Sequence, residues 1–283
     1  MSYPKTFWSQ VVEFSQSLTH EVGQTLLADF GQVHTEEKQD GSLVTRCDRW
    51  ADQTLCQRLA AQFPDHGLLS EETSHIFPGQ DWCWVIDPLD GTTNFARGVP
   101  LWGISLGLLY QGTPVFGFVQ IPVLNQGFYG FWPGTSGLDL PSGAFCNGQP
   151  IQTNQAELTP SHLFSFCTRS IKALQQPPAK NFPLPCKVRM LGVATYNLLA
   201  VANGMVMGGV EATPKVWDIA ATWAIVQAAG AQWLFLSANP FPLQPSQNYQ
   251  EPAYPTLVLA QPNLKPIFYP LVQNLVEQNS AQI

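Results

Sequence analysis

The 283-residue sequence predicts an α/β protein whose N-terminal half is α+β. Three observations carry that expectation. Two stretches with apolar residues at helical spacing come first, and short apolar runs separated by Gly- and Pro-containing turns follow them. Beyond residue 152, strand-like and helix-like stretches alternate, so residues 1–152 and 153–283 read as two halves. Hydrophobic residues make up 45% of the chain, enough to fill a core.

Val11, Phe14, Leu18, Val22 and Leu26 recur every three or four residues, so Phe7 to Phe30 reads as a helix. HTEEKQDGSLVT is polar and reads as a loop. Asp48 then opens a second helix as its N-cap, with Ala51, Leu55, Leu59 and Phe63 at i+4 steps and FPDHG as the stop. WCWVI, from Trp82, is a short buried strand. WGISLGLLY, QGTP and VFGFVQI read as strand, turn and strand, GFYGFW continues the sheet, and PGTSGLDLPSG is a loop. In the second half, HLFSFCTR and KVRMLG read as strands flanking the Pro-rich loop QQPPAKNFPLP. TYNLLAVANG is a helix ended by Gly204. MVMGGVEA is a strand, DIAATWAIVQAAG a helix capped by Asp218 and closed by Gly230, and AQWLFLS a strand. The tail EQNSAQI is expected to fray.

Charged residues are only 12% of the chain, about half the usual share, so each charge invites a question. The net charge is −7 and no Lys/Arg cluster occurs, which argues against a nucleic-acid backbone as partner. No apolar run approaches the roughly 18 residues of a membrane span, and the N-terminus has no signal-type apolar core. Six scattered cysteines without a C-x-x-C read as reduced thiols of a cytoplasmic protein. Five scattered histidines give no zinc pattern.

The stretch WCWVIDPLDGTTNF places two aspartates three apart at the end of an apolar run. Pro88 biases Asp87 toward extended backbone, Gly91 permits a bend, and Thr92 or Thr93 can cap a helix whose free N–H groups point outward. Two carboxylates with the Leu89 carbonyl between them suit Mg²⁺, a hard cation, and paired metals can clamp a phosphoryl displacement. A turn and an ordinary helix cap would explain Asp87 and Asp90 alone. Glu71 and Glu72 in LLSEET and Asp218 in KVWDIAA add further acids beside apolar runs. In so charge-poor a chain, together they look like a metal cage.

WVIDPLDGTTNF resembles the metal-binding signature of the inositol monophosphatase family, the magnesium-dependent, lithium-sensitive sugar phosphatases. DGSLVTRCD, LLSEET, GAFCNG, GVATYN and VEATPKVWDIAA are similar to further family segments, in the same order, over nearly the whole chain. The resemblance implies a layered αβαβα sandwich and two Mg²⁺ ions, with a third, weaker one near Glu71. It implies that Glu71, Asp87 and the Leu89 carbonyl bind the first metal, and that Asp87, Asp90 and Asp218 bind the second. Gly91 and Thr92 would cradle the phosphate. Asp48 and the Thr92 hydroxyl would orient the attacking water and, with Glu71, form the catalytic set. Glu211 matches the position that binds an inositol hydroxyl, and Gly192, Val193 and Ala194 match the neighbouring wall. The partner implied is a small phosphorylated polyol, and the assembly a homodimer.

Ser70 departs from the family's usual Gly before the acidic pair. Val193 and Thr195 differ from some inositol-selective members, and Pro214-Lys215 shape the loop before Asp218; these positions line the alcohol side, so they bear on the substrate and leave the chemistry intact. Histidinol phosphate, fructose 1,6-bisphosphate and adenosine 3′,5′-bisphosphate are alternative substrates of related enzymes. Glu211 favours a polyol, and the lack of a basic pocket signature disfavours the bisphosphates. A non-catalytic regulatory protein on the same fold is opposed by the intact acid set. GISLG matches the G-x-S-x-G nucleophile elbow, which needs strand, sharp turn and helix. Here QGTP and another strand follow, so Ser105 reads as a strand residue.

Overall fold

All nine residues from Trp82 to Asp90 are buried, which a strand achieves only between two covering layers. The structure is a computed structural model and describes residues 5–37, 43–170, 175, 184–273 and 275. The N-terminus 1–4, residues 38–42 of the polar loop, most of the Pro-rich loop and the tail from 276 lie outside the described residues.

Helix α1 (Lys5–Leu27) is followed by a small antiparallel pair, β1 (Glu36–Glu37) and β2 (Leu43–Val44), within the stretch expected as a loop. Next come α2 (Arg46–Gln62), β3 (Gly67–Ser70), β4 (Trp82–Asp90) and the five-residue α3 (Thr92–Ala96). β5 (Gly103–Tyr110), β6 (Thr113–Ile121), β7 (Gln126–Phe131), β8 (Gly143–Cys146) and β9 (Gln149–Ile151) complete a seven-stranded sheet in chain order from β3. Only the β3–β4 pair in it is parallel.

β10 (Leu163–Phe166), β11 (Lys187–Arg189), α4 (Ala194–Ala202), β12 (Gly208–Glu211), α5 (Val216–Ala228) and β13 (Gln232–Phe235) follow. β14 (Thr256–Leu259) and α6 (Lys265–Val272) come from a stretch in which the sequence suggested no element. The second sheet has the order β11-β10-β12-β14-β13. No helix among the described residues is long and apolar enough to cross a membrane.

The layers follow from side-chain alternation. Trp84, Ile86, Ile104, Leu106 and Phe118 share one cluster with Val11, Leu18, Leu55 and Leu59 of α1 and α2. Cys83, Val85, Val119 and Phe128, on the opposite face, pack with Leu198, Ile219 and Ile225 of α4 and α5. In the second sheet Ser165 bonds Asn197 of α4, while Phe164 on the other face stacks on Phe268 of α6 at 4.3 Å. The stack is therefore helix, sheet, helix, sheet, helix, the αβαβα sandwich.

One row of the first sheet explains how α5 sits so close. Gly107 pairs with Gly117, and Gly117 with Gly130, across three strands. A Cβ on Gly117 would lie 2.1 Å from the Ala221 carbonyl oxygen, and one on Gly130 2.8 Å from the Ile225 Cα. The missing side chains form a trench into which the α5 backbone drops. That descent carries Asp218 toward the strand that carries Asp87.

Candidate active site

β4 extends past WCWVI to include Asp87, Pro88, Leu89 and Asp90. Residues three apart on a regular strand point to opposite faces. Here Asp87 pairs with Ser105 and Asp90 with Gly103, so three steps on β4 match two on β5. Proline cannot donate to the ladder, and the strand bulges at Pro88. The bulge brings both carboxylates to one side. Asp87 is 1% and Asp90 8% exposed.

Asp90 also ties the first sheet to α4. Its Oδ1 accepts from the Ala194 N–H at 3.2 Å, and its Oδ2 accepts from the Thr195 N–H and hydroxyl, both at 2.6 Å. Val193, the N-cap of α4, makes no side-chain cap bond, so a carboxylate from β4 satisfies that helix end. Thr195 therefore holds Asp90, which corrects the expectation that it stands on the alcohol side. The Ala194 N–H is likewise spent on Asp90, although Ala194 lines the cavity.

Neither Asp48 nor Asp218 is an N-cap as expected. Thr45 and Lys215 hold those positions, and each aspartate is the third residue of its helix. Asp48 Oδ2 accepts from the Thr45 N–H at 2.7 Å, and Asp218 Oδ2 from the Lys215 N–H at 2.6 Å. Reaching back this way leaves the second oxygen of each free to serve elsewhere. Asp48 Oδ1 accepts from the Thr92 hydroxyl at 2.9 Å, and that hydroxyl also lies 3.2 Å from the Leu89 carbonyl oxygen. Gly91, not a threonine, is the N-cap of α3, at a φ of 89°. A Cβ on it would strike Val193 Cγ2 at 2.8 Å.

Asp87, Asp90 and Asp218 each present an oxygen within 4.8 Å of the others. Burial drives the Asp87 pKa well up, and the charges of Glu71, Asp90 and Asp218 drive it further. Burial also raises Asp90, against the hydrogen bonds from Thr195 and Ala194, and raises Asp218, with Asp90 adding to the effect. Asp87 Oδ2 is buried without a hydrogen-bond partner. The Lys215 ammonium is turned away onto the carbonyls of Gln250 and Glu251. Three crowded acids and an orphaned oxygen form an all-oxygen donor set that fits a divalent cation. Glu71 stands outside that trio but lines the same cavity of about 320 Å³.

A model of the inositol monophosphatase family matches residues 8–275. The chain belongs to that family. A Thermotoga maritima fructose-1,6-bisphosphatase/inositol-1-monophosphatase is 33% identical over 228 residues, 77% of this chain and 82% of the relative. An inositol-1-monophosphatase of Synechocystis is 34% identical over 233 residues, 77% of this chain and 76% of the relative. Among solved structures, a Thermotoga maritima IMPase superposes with a TM-score of 0.76 at 26% identity, covering 96% of this chain and 99% of that one.

The cavity of this family member is lined by Glu71, Asp87, Leu89, Asp90, Gly91, Thr92, Gly192, Val193, Ala194, Glu211 and Asp218, all of which the sequence had singled out. Asp48 joins them through Thr92. Glu211 is 8% exposed; burial pushes its pKa up to about 8, against the Asn197 amide that donates to its Oε1 at 2.5 Å. Cys167, Thr168, Arg169 and Thr213 also line the cavity and escaped the sequence reading. Residues 167–169 follow β10 and Thr213 follows β12, and neither segment carries a recognisable motif. Arg169 corrects one expectation: a cation does stand at the pocket, its guanidinium donating to the Thr213 hydroxyl at 2.6 Å. Asn94 lies within DPLDGTTNF, where the sequence alone suggests no role for it. Its amide donates to the carbonyls of Leu101 and Leu191, both at 2.9 Å, pinning the Gly192 loop over α3. Ser105 lies inside β5, fully buried, and is followed by a hairpin, so no nucleophile elbow exists there.

Proposed function

We propose that this phosphatase-family protein hydrolyses myo-inositol monophosphate by direct attack of water, using two Mg²⁺ ions and a third, weaker one. The observation that carries the reading is the Asp87, Asp90 and Asp218 trio with its orphaned oxygen, set against the first turn of α3. Glu71, Asp87 and the Leu89 carbonyl would hold one cation, and Asp87, Asp90 and Asp218 the other. Bound there, divalent cations supply Lewis acidity, lowering the pKa of water and offsetting charge on phosphoryl oxygens and the leaving alkoxide.

The chain's own groups do the rest. The Thr92 hydroxyl, its proton directed at Asp48 Oδ1, turns its lone pairs toward a water and can take a proton as it passes its own to Asp48. Burial raises the Asp48 pKa, against its bonds to Thr45 and Thr92, which favours that transfer. The unpaired N–H groups at the start of α3 offer donors to the phosphoryl oxygens. Glu211, steadied by Asn197, faces the alcohol and orients a ring hydroxyl.

The test is a panel of phosphate esters with and without Mg²⁺, ranked by kcat/KM. Phosphate release independent of Mg²⁺, or none from any ester, sinks the reading; the latter outcome favours a regulatory protein. Millimolar Li⁺ at limiting Mg²⁺ is expected to inhibit. The six free thiols support a cytoplasmic location, and sedimentation tests a homodimer.

Arg169 favours a second reading, in which the alcohol carries another phosphate, as in fructose 1,6-bisphosphate. A kcat/KM on that ester above that on inositol 1-phosphate, lost in Arg169→Ala, selects it. Nothing in the cavity singles out histidinol phosphate or adenosine 3′,5′-bisphosphate, and the same panel ranks them.

A further inference from the structure

α2 carries two buried acids one turn apart, and the mechanism above uses only Asp48. Asp52 is fully buried. Its Oδ2 accepts from the Thr73 hydroxyl at 2.6 Å, with the Cys56 thiol 4.0 Å away, and its Oδ1 has no hydrogen-bond partner. A carboxylate so sparsely satisfied is costly to bury, and an apolar residue would serve a helix packed against a sheet better. Its one strong partner indicates what it does.

Thr73 lies in the turn that follows β3, two residues after Glu71. The residue is exposed, yet its hydroxyl turns inward to Asp52 and to Ser70 Oγ at 3.0 Å. Upstream, the sheet fixes this turn: the Glu71 N–H donates to the Ile86 carbonyl at 3.2 Å, and the Ser70 N–H to Ser74 at 2.7 Å. Downstream, His75 Nε2 meets the Glu71 carbonyl at 2.6 Å, a contact within the turn itself. The Asp52–Thr73 bond is a short side-chain tie from the turn to α2, with the Cys56 thiol of the same helix beside Ser70 and Thr73. The same helix face thus addresses both sides of the cavity, Asp48 through Thr92 and Asp52 through Thr73.

We propose that Asp52 is a positioning residue that, through the Thr73 hydroxyl, latches the 71–73 turn to α2 and fixes where the Glu71 carboxylate stands when a divalent cation binds. The proposal rests on the reading above only in taking Glu71 as a cation ligand. A hydrogen bond to a carboxylate is among the stronger neutral-donor contacts, and losing it frees the turn.

The test measures Mg²⁺ affinity from the Mg²⁺-dependent rise in Tm, with kcat at saturating Mg²⁺ measured alongside. The proteins are wild type, Thr73→Val, Thr73→Ser, Asp52→Ala and the Asp52→Ala/Thr73→Val double variant. Thr73→Val should weaken Mg²⁺ binding about ten- to a hundredfold, the equivalent of one such bond, while kcat at saturating Mg²⁺ stays within about threefold. Thr73→Ser should stay within about twofold of wild type, and Thr73→Val should add nothing in the Asp52→Ala background. A lower Tm without Mg²⁺ but unchanged Mg²⁺ affinity makes the bond merely structural and overturns the proposal. Should Asp52→Ala not fold, Asp52→Asn replaces it; its carbonyl still accepts from Thr73, so affinity within about threefold of wild type supports the latch. A hundredfold loss in Asp52→Asn assigns the effect to charge and overturns it. A wild-type protein that Mg²⁺ does not stabilise removes the cation site itself, an outcome separable from failure of the latch.

Discussion

Asp87, Asp90, Gly91 and Thr92 reach the cavity from one stretch of chain, whereas another part of its wall is assembled from residues 167–169, 192–194, Glu211, Thr213 and Pro214. The first wall is sealed into a seven-stranded sheet, its geometry set by one bulge and one glycine. The second depends on contacts between distant segments, such as Asn94 to Leu191 and Arg169 to Thr213. The difference separates two jobs. On the function proposed above, the compact wall would handle what every phosphate ester shares, and the assembled wall what distinguishes one alcohol from another.

Substitutions should divide along that line. The largest effect belongs to Asp87→Asn, which halves the charge-bearing oxygens of the residue that, on the proposed function, would touch both cations. We expect kcat/KM to fall about a thousandfold or more on every ester, equally for polyol and aryl phosphates. Retention of a tenth of the activity would contradict the assignment. Glu211→Ala probes the other wall. It should cost about ten- to a hundredfold on inositol 1-phosphate and little on an aryl phosphate without a matching hydroxyl. Equal losses on both esters would make Glu211 a structural residue and erase the contrast between the walls.

Gly117→Ala tests how the walls are brought together. Its Cβ meets backbone of α5, which cannot rotate aside. The expected cost is about 1–3 kcal/mol in denaturant unfolding, with a higher Mg²⁺ requirement as α5 lifts. Unchanged stability would show that α5 yields freely. The smallest effect lies away from both walls. His66 stacks between Phe63 at 5.0 Å and Trp82 at 5.8 Å, and burial lowers its pKa to about 4. The fold therefore prefers the neutral ring. Its contribution is complete above the unfolded pKa of about 6.5 and is lost as pH falls toward 4. His66→Phe should flatten that acid decline in Tm while leaving kcat/KM at pH 7 unaltered.

The same contrast governs what could be read from the sequence. DPLDGTTNF and WDIAA are contiguous, so their acids stood out against a charge-poor background. What they do to the backbone was less visible. A proline suggested extended chain, but the change of face between Asp87 and Asp90 depends on pairing with β5. Asp48 and Asp218 announced helix starts, and only the structure shows that each begins three residues earlier. Thr195 lies 105 residues from Asp90, and no local pattern could link them. Arg169 follows β10 as an isolated cation, unremarkable until the sheets meet. β14 lies in a Pro-rich stretch whose apolar run is too short to distinguish from loop.

The glycine row beneath α5 has a consequence for tolerance. Where helices usually rest on sheets through interlocking side chains, their spacing varies with every methyl group exchanged. Here main chain lies on main chain, so the gap between the Asp218-bearing helix and the Asp87-bearing sheet works like a machined fit with no shim. Apolar residues around the trench can drift in size without changing that dimension. The gauge is stiff because it is made of peptide planes, and a single added carbon at Gly107, Gly117 or Gly130 is enough to put it out of true.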